Sequence, residues 1–201
     1  MKVVFLAPGF QFPPRQGAAI RNFYWLQALA ERAQVRLVAP DLSFDELRAS
    51  GLPVKAATGP APRRSAVDRL VDLLTRRAEL YRVLHTDPPD LVHIGGLEMA
   101  PYLPVITRGA PGVRVALDEY NAEYRLQWSA FQAERNPLGA LYSQVQFRRL
   151  RAFEAETLRR VDLTWAGSEA DRAALKELVP DAWVELLPNS VDPEYYAFES
   201  L

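Results

Sequence analysis

Three short stretches combine residue types and spacings that could do chemistry. Residues 118–123 read Asp118-Glu119-Tyr120-Asn121-Ala122-Glu123, three carboxylates within six residues. Carboxylates grouped in one loop can hold hydroxyl groups or stabilise positive charge developing on a sugar ring. The competing explanation is a set of acids at the start of a helix, facing its dipole. Gln16-Gly17-Ala18-Ala19 lies just before a helical segment. There Gly17 would let a backbone come close to a ligand, and the free N–H groups of the first turn would face an anion such as a diphosphate; an ordinary loop glycine explains it equally well. His93 sits near the end of the short apolar run 91–94, ahead of Gly95-Gly96, a place where a structural histidine is the commoner outcome. A fourth stretch, Ser168-Glu169-Ala170-Asp171, fits a capping box, with the serine hydroxyl accepting an early backbone N–H.

Composition narrows the classes. The 201 residues contain no cysteine and two histidines, which excludes disulfide frameworks, thiolate nucleophiles and cysteine metal sites and argues against a histidine-rich one. No metal or cofactor is therefore expected. The net charge of -1 gives no general attraction to nucleic acid. Neither GxGxxG nor GxxxxGK[ST] occurs, which disfavours a dinucleotide fold and a P-loop NTPase. The N-terminal apolar run ends at Pro8-Gly9, too soon for a signal peptide, and no run of 18 apolar residues occurs. A cytoplasmic location is the expectation.

The elements that must position these residues alternate. Apolar runs at 3–7, 35–39, 54–57, 91–94, 113–117, 163–166 and 184–187 predict strands. Between them, helical spacing predicts helices over 18–32, 45–49, 65–85, 98–107, 122–160 with a break at 136–139, and 169–178. In the third of these, Val67, Leu70, Val71, Leu74, Ala78, Tyr81 and Leu84 form the expected buried stripe. Residues 58–64 are a loop by composition. Repeated strand–helix alternation predicts an α/β fold, a doubly wound parallel sheet of Rossmann-like type over residues 1–187, with 188–201 as linker. Ligands of such sheets sit outside the carboxyl ends of the strands, where the three stretches fall.

Several motifs, in order, carry a family resemblance: Phe12-Pro13-Pro14-Arg15-Gln16-Gly17-Ala18-Ala19, Pro89-Asp90-Leu91-Val92-His93, Glu98-Met99-Ala100-Pro101-Tyr102-Leu103, Leu117 to Glu123, Val161-Asp162-Leu163, Ser168 to Asp171, and Leu187-Pro188-Asn189-Ser190-Val191-Asp192. Over essentially its whole length the chain resembles the N-terminal domain of a GT-B retaining glycosyltransferase of the family 4 type. The resemblance implies transfer of a sugar from a nucleotide-sugar to an acceptor without a metal. It implies that Gly17 and Ala18 lie near the donor phosphates and that Arg21 contacts an anionic group. It further implies that Tyr120, Asn121 and Glu123 form the catalytic group on the acceptor side, with His93, Asp118 and Glu119 beside them. Two positions differ from the family pattern: Tyr120 stands where a histidine is usual, and Ser190 where a glycine is usual. The donor-binding domain would follow Leu201, so the chain alone is expected to be inactive and to need that domain in cis or in trans. The alternative is a binding or regulatory module of the same fold that has lost catalysis.

Residues 120–160 hold seven arginines against four glutamates, interleaved with aromatics. An amphipathic helix pair packed on the sheet is the expected reading; peripheral contact with anionic lipid is the second.

Overall fold

The computed structural model describes residues 1–39, 42–56 and 66–189. The elements follow the chain in order: β1 (Lys2–Leu6), α1 (Gly17–Ala30), β2 (Gln34–Val38), α2 (Phe44–Ala49), β3 (Lys55–Ala56), α3 (Ala66–Thr86), β4 (Leu91–Gly95), a 3-10 turn (Leu97–Tyr102), α4 (Leu103–Gly109), β5 (Arg114–Glu119), α5 (Glu123–Ala133), α6 (Pro137–Leu158), β6 (Leu163–Ala166), α7 (Glu169–Leu178) and β7 (Val184–Leu186). The seven strands form one sheet in the order β3-β2-β1-β4-β5-β6-β7, and every neighbouring pair is parallel. The chain thus forms the α/β Rossmann-like sheet that the alternation predicts. Its direction of winding reverses between β1 and β4, so the ligand crevice of the fold lies outside the carboxyl ends of those strands.

Both faces are covered, because the strand side chains alternate. Along β1, Val3 and Phe5 pack into one core with Leu26, Val35, Leu37 and Leu47. Val4 and Leu6 pack into the other with Leu80, Leu84, Ile94, Ile106, Leu117 and Leu175.

Three local features differ from the sequence expectation. The helix expected over 98–107 is split into a 3-10 turn and α4, with Pro101 inside the turn and Pro104 in the first turn of α4; proline removes the N–H that a continuous α-helix would use. In the part of α3 whose side chains are described, from residue 76 on, Arg76, Leu80, Val83 and Leu84 are buried, whereas Tyr81 is exposed and Ala78 too; the side chains of Val67, Leu70, Val71 and Leu74 lie outside the description. The guanidinium of buried Arg76 donates to the Ala39 carbonyl at 3.2 Å. Third, β5 runs two residues beyond the expected Leu117 and takes Asp118 and Glu119 into the sheet. Residues 58–64, Ser190 and all but the first two residues of the 188–201 segment lie outside the described residues. Among the described residues, no helix is long and apolar enough to cross a membrane.

Candidate functional site

The site builds up from the carboxyl ends of β1, β4 and β5. Asp118 pairs with Gly95 and Trp165 in the sheet register and is fully buried. Its two carboxylate oxygens accept from Arg21 Nη2 at 2.6 Å and Arg21 Nε at 2.7 Å. A bidentate guanidinium fork is the geometry that a carboxylate matches best. The same guanidinium donates through Nη1 to the Leu187 carbonyl at 2.8 Å and to Asn189 Oδ1 at 3.0 Å. Burial pushes the Asp118 carboxyl up from its ordinary value, and Arg21 and the neighbouring Trp25 indole pull it back. The Trp25 N–H lies close by without forming a hydrogen bond of good geometry.

Glu119, the next residue, points to the other face. It is fully buried, and among the described residues neither carboxylate oxygen has a hydrogen-bond partner. Burial, followed by the repulsion of Glu154, Glu123, Glu98 and Asp118, holds its carboxyl well above the usual range. Glu154 on α6 accepts the backbone N–H groups of Glu123 at 3.1 Å and Tyr124 at 2.8 Å, while Asp171 accepts that of Ala122 at 2.9 Å. These carboxylates satisfy the first turn of α5, whose own N-cap, Ala122, cannot. Burial raises Glu154 to about 7, against the lowering effect of those two backbone bonds.

Tyr120 lies across the glycine pair after β4. Its hydroxyl donates to Asn22 Oδ1 at 3.0 Å, which joins the end of β5 to α1. A Cβ on Gly95 would sit 2.7 Å from Asn22 Oδ1, and one on Gly96 would sit 2.8 Å from Tyr120 Cε2. Gly96 also has φ +99°, so both space and backbone conformation call for glycine there. Burial holds the Tyr120 phenol far above its ordinary value; it is a neutral hydrogen-bond donor. Asn121 is exposed and Glu123 half-buried. Burial raises the Glu123 carboxyl, and the Asn121 amide lowers it.

On the other side of the crevice, α1 begins at Gly17 behind Gln16, with no side-chain cap and no acid in its first turn. In contrast α2, α6 and α7 are capped by Ser43, Asn136 and Ser168, the last as the capping box predicts. A Cβ on Gly17 would meet nothing within 4 Å. Gly17 also stands at the head of an open groove of about 380 Å³ between α1 and the segment that leaves β7, lined further by Arg21, Tyr24, Trp25, Leu187 and Asn189.

The predicted site residues therefore separate. Gly17, Ala18, Tyr120, Asn121 and Glu123 reach the surface or its rim. Arg21, His93, Asp118 and Glu119 are buried, and of these four Arg21 lines the groove that begins at Gly17. Arg21 is committed to the protein's own groups. His93 stacks on Phe5 at 4.5 Å and lies against Trp25 at 4.8 Å; burial, then the Arg21 charge, lowers it to about 3, so it is neutral. The sequence reading missed Asn22 and Glu154, and it placed Asp171 in the capping box of its own helix but not against the Ala122 N–H. A signal for Asn22 was present: Arg21-Asn22 interrupts the apolar side chains of Ile20 and Phe23, and two adjacent polar residues there imply buried partners. Among the described residues, no cluster of histidine and acidic side chains has the arrangement of a metal site.

Residues 16–190 match the family model described as the glycosyl transferase 4-like domain. No curated protein matches. Several solved structures share the fold. HepE of Anabaena in complex with UDP-glucose superposes with a TM-score of 0.59 at 15% identity, covering 98% of this chain and 46% of that one. Sucrose-phosphate synthase of Thermosynechococcus elongatus gives 0.63 at 13% identity, covering 96% and 49%. UGT71G1 of Medicago truncatula complexed with UDP-glucose gives 0.57 at 11% identity, covering 96% and 52%. The chain spans about half the length of these relatives. Together, the ordered motifs, the parallel seven-stranded sheet and a family match over residues 16–190 establish that the chain belongs to the glycosyl transferase 4-like family.

Proposed function

We propose that this chain is the acceptor-side half of a retaining, metal-independent GT-B glycosyltransferase that moves a sugar from a nucleotide-sugar to an acceptor. The observation that carries the reading is the bare N-terminus of α1 at the reversal point of the sheet. Its free N–H groups and dipole favour an anion, Gly17 leaves space above them, and the exposed Arg15 precedes them. A donor diphosphate is the anion of the right kind, and two of the structural neighbours are complexes with UDP-glucose. Asn121 and Glu123 supply the polar rim at which acceptor hydroxyls would be held. The donor sugar and base would be gripped by a second domain, so the chain alone transfers no sugar. Residues 188–201 serve as the connection to that domain, and the location is cytoplasmic.

The neutral, inward-bonded Tyr120 favours a second reading, a binding module of the same fold without catalysis. Here Tyr120 positions Asn22 and cannot serve as a base near neutral pH.

Equilibrium binding to UDP-glucose, uridine and NAD tests the proposal. UDP-glucose is expected to bind with a dissociation constant on the order of 1 mM, about -4 kcal/mol, with uridine, which lacks the diphosphate, weaker and NAD no tighter than UDP-glucose. Tighter binding of NAD than of UDP-glucose contradicts the reading. Sugar transfer by the isolated chain contradicts the need for a second domain.

A further inference from the structure

The outer face of α6 is apolar where a solvent-facing helix is ordinarily polar. Leu138, Leu141, Tyr142 and Val145 follow one another at helical steps of three, one and three residues. They are 77%, 58%, 65% and 41% exposed. Four residues beyond Val145, at the same angular position, comes Arg149, with Arg148 beside it. The opposite face of α6 is the packed one: Phe147 meets Tyr124 and Trp128 of α5, and Ala155 and Leu158 enter the core. The stripe is thus a second apolar surface, separate from the one that holds the helix in place.

Charge identifies what would cover it. Residues 124–153 contain five arginines (125, 135, 148, 149 and 151) and one acid, Glu134, a net charge of +4 in a chain whose total is -1. All five arginines are exposed, and among the described residues none of them forms an ion pair. Glu134 instead accepts the Asn136 backbone N–H at 2.8 Å. A second copy of the chain is a poor occupant, because a symmetric contact on this face would bring its arginines together. Nucleic acid would match the charge and leave Leu138, Leu141 and Val145 unmatched. An anionic lipid surface matches both: aliphatic side chains enter the boundary of the acyl chains, Tyr142 sits at the headgroup level, and arginines meet lipid phosphates.

We propose that the outer face of α6 docks the protein on anionic membranes, with Leu138, Leu141, Tyr142 and Val145 as the inserting stripe and Arg148 and Arg149 as headgroup contacts. This goes beyond the glycosyltransferase reading and does not depend on it. Co-sedimentation of the 201-residue chain with vesicles of phosphatidylcholine alone, and of phosphatidylcholine and phosphatidylglycerol in equal parts, tests it. The expected result is binding to the mixed vesicles only, released by high salt. R148E/R149E is expected to weaken that binding by at least about tenfold, since each basic residue near the surface contributes about fivefold. L141D/V145D is expected to weaken it similarly. Both pairs replace exposed side chains, so their melting temperatures should match the wild type. Absence of vesicle binding, equal binding to the two vesicle types, or wild-type binding by both variants overturns the proposal. So does a dimer abolished by L141D/V145D without lipid binding. UDP-glucose binding by both variants is expected to be unchanged, so failure here and failure of the glycosyltransferase reading are separately visible.

Discussion

Arg21 on α1 and Asp118 at the end of β5, 97 residues apart, form a two-bond fork at 2.7 and 2.6 Å inside the protein. The remaining nitrogen of that guanidinium holds Leu187 and Asn189, where the chain leaves β7. One side chain therefore ties the first helix, the central sheet and the outgoing segment together at the carboxyl edge where the site lies.

Removing Arg21 leaves a buried carboxylate and two acceptors without their donor. R21A is expected to cost about 3–5 kcal/mol, read as a loss of thermal and urea stability. R21M/D118L, which removes both charges and keeps volume, should be markedly less destabilised than R21A. A double variant as unstable as the sum of the single changes would show that the pair is not coupled.

The carboxyls of Glu119 and Glu154 are both raised in the folded protein. A group whose folded pKa lies above its unfolded value stabilises the fold below the unfolded pKa, here about 4.3, and loses that contribution as pH rises through the folded one. The melting temperature is therefore expected to fall as pH rises above the unfolded value, with the contribution of Glu154 falling most steeply between that value and about 7 and levelling off above it. E119Q removes a buried carboxyl that must give up its proton as pH rises and should flatten that fall, so that its melting temperature at pH 8 exceeds that of the wild type. A melting temperature flat in pH for the wild type contradicts this account.

Tyr120 and Gly96 form a matched pair. Y120F leaves buried Asn22 Oδ1 without its donor and should cost about 1–2 kcal/mol in denaturant unfolding. G96A forces alanine to φ +99° and into the Tyr120 ring, and should cost about 2–4 kcal/mol. Y120A supplies the missing space, so G96A/Y120A should be less than additive by about 1 kcal/mol. Strict additivity would show that the two do not touch in solution.

The strands and most helices were legible in the sequence because buried parallel strands are continuous apolar runs and Ser168 marks its helix by capping. The candidate site was legible only in part. The acids after Leu117 look like a loop, because carboxylates rarely continue a buried strand. The burial of Asp118 depends on Arg21, 97 residues away in the chain. The uncapped start of α1 was legible from Gln16-Gly17. Glu154, which caps α5 from another helix, left only the faint signal of one of two acids, with Glu156, in an arginine-rich run.

The central claim is that the start of α1 receives the donor diphosphate, and amide chemical shifts of the labelled chain during titration with UDP-glucose test it most directly. The account predicts saturable shifts concentrated at Gly17, Ala18 and Ala19. G17V should weaken them at least about fivefold, the worth of roughly 1 kcal/mol at a helix N-terminus, while its melting temperature stays close to wild type because a Cβ at Gly17 meets nothing. Shifts that leave residues 17–19 unmoved while appearing elsewhere, or G17V binding like the wild type, would contradict it.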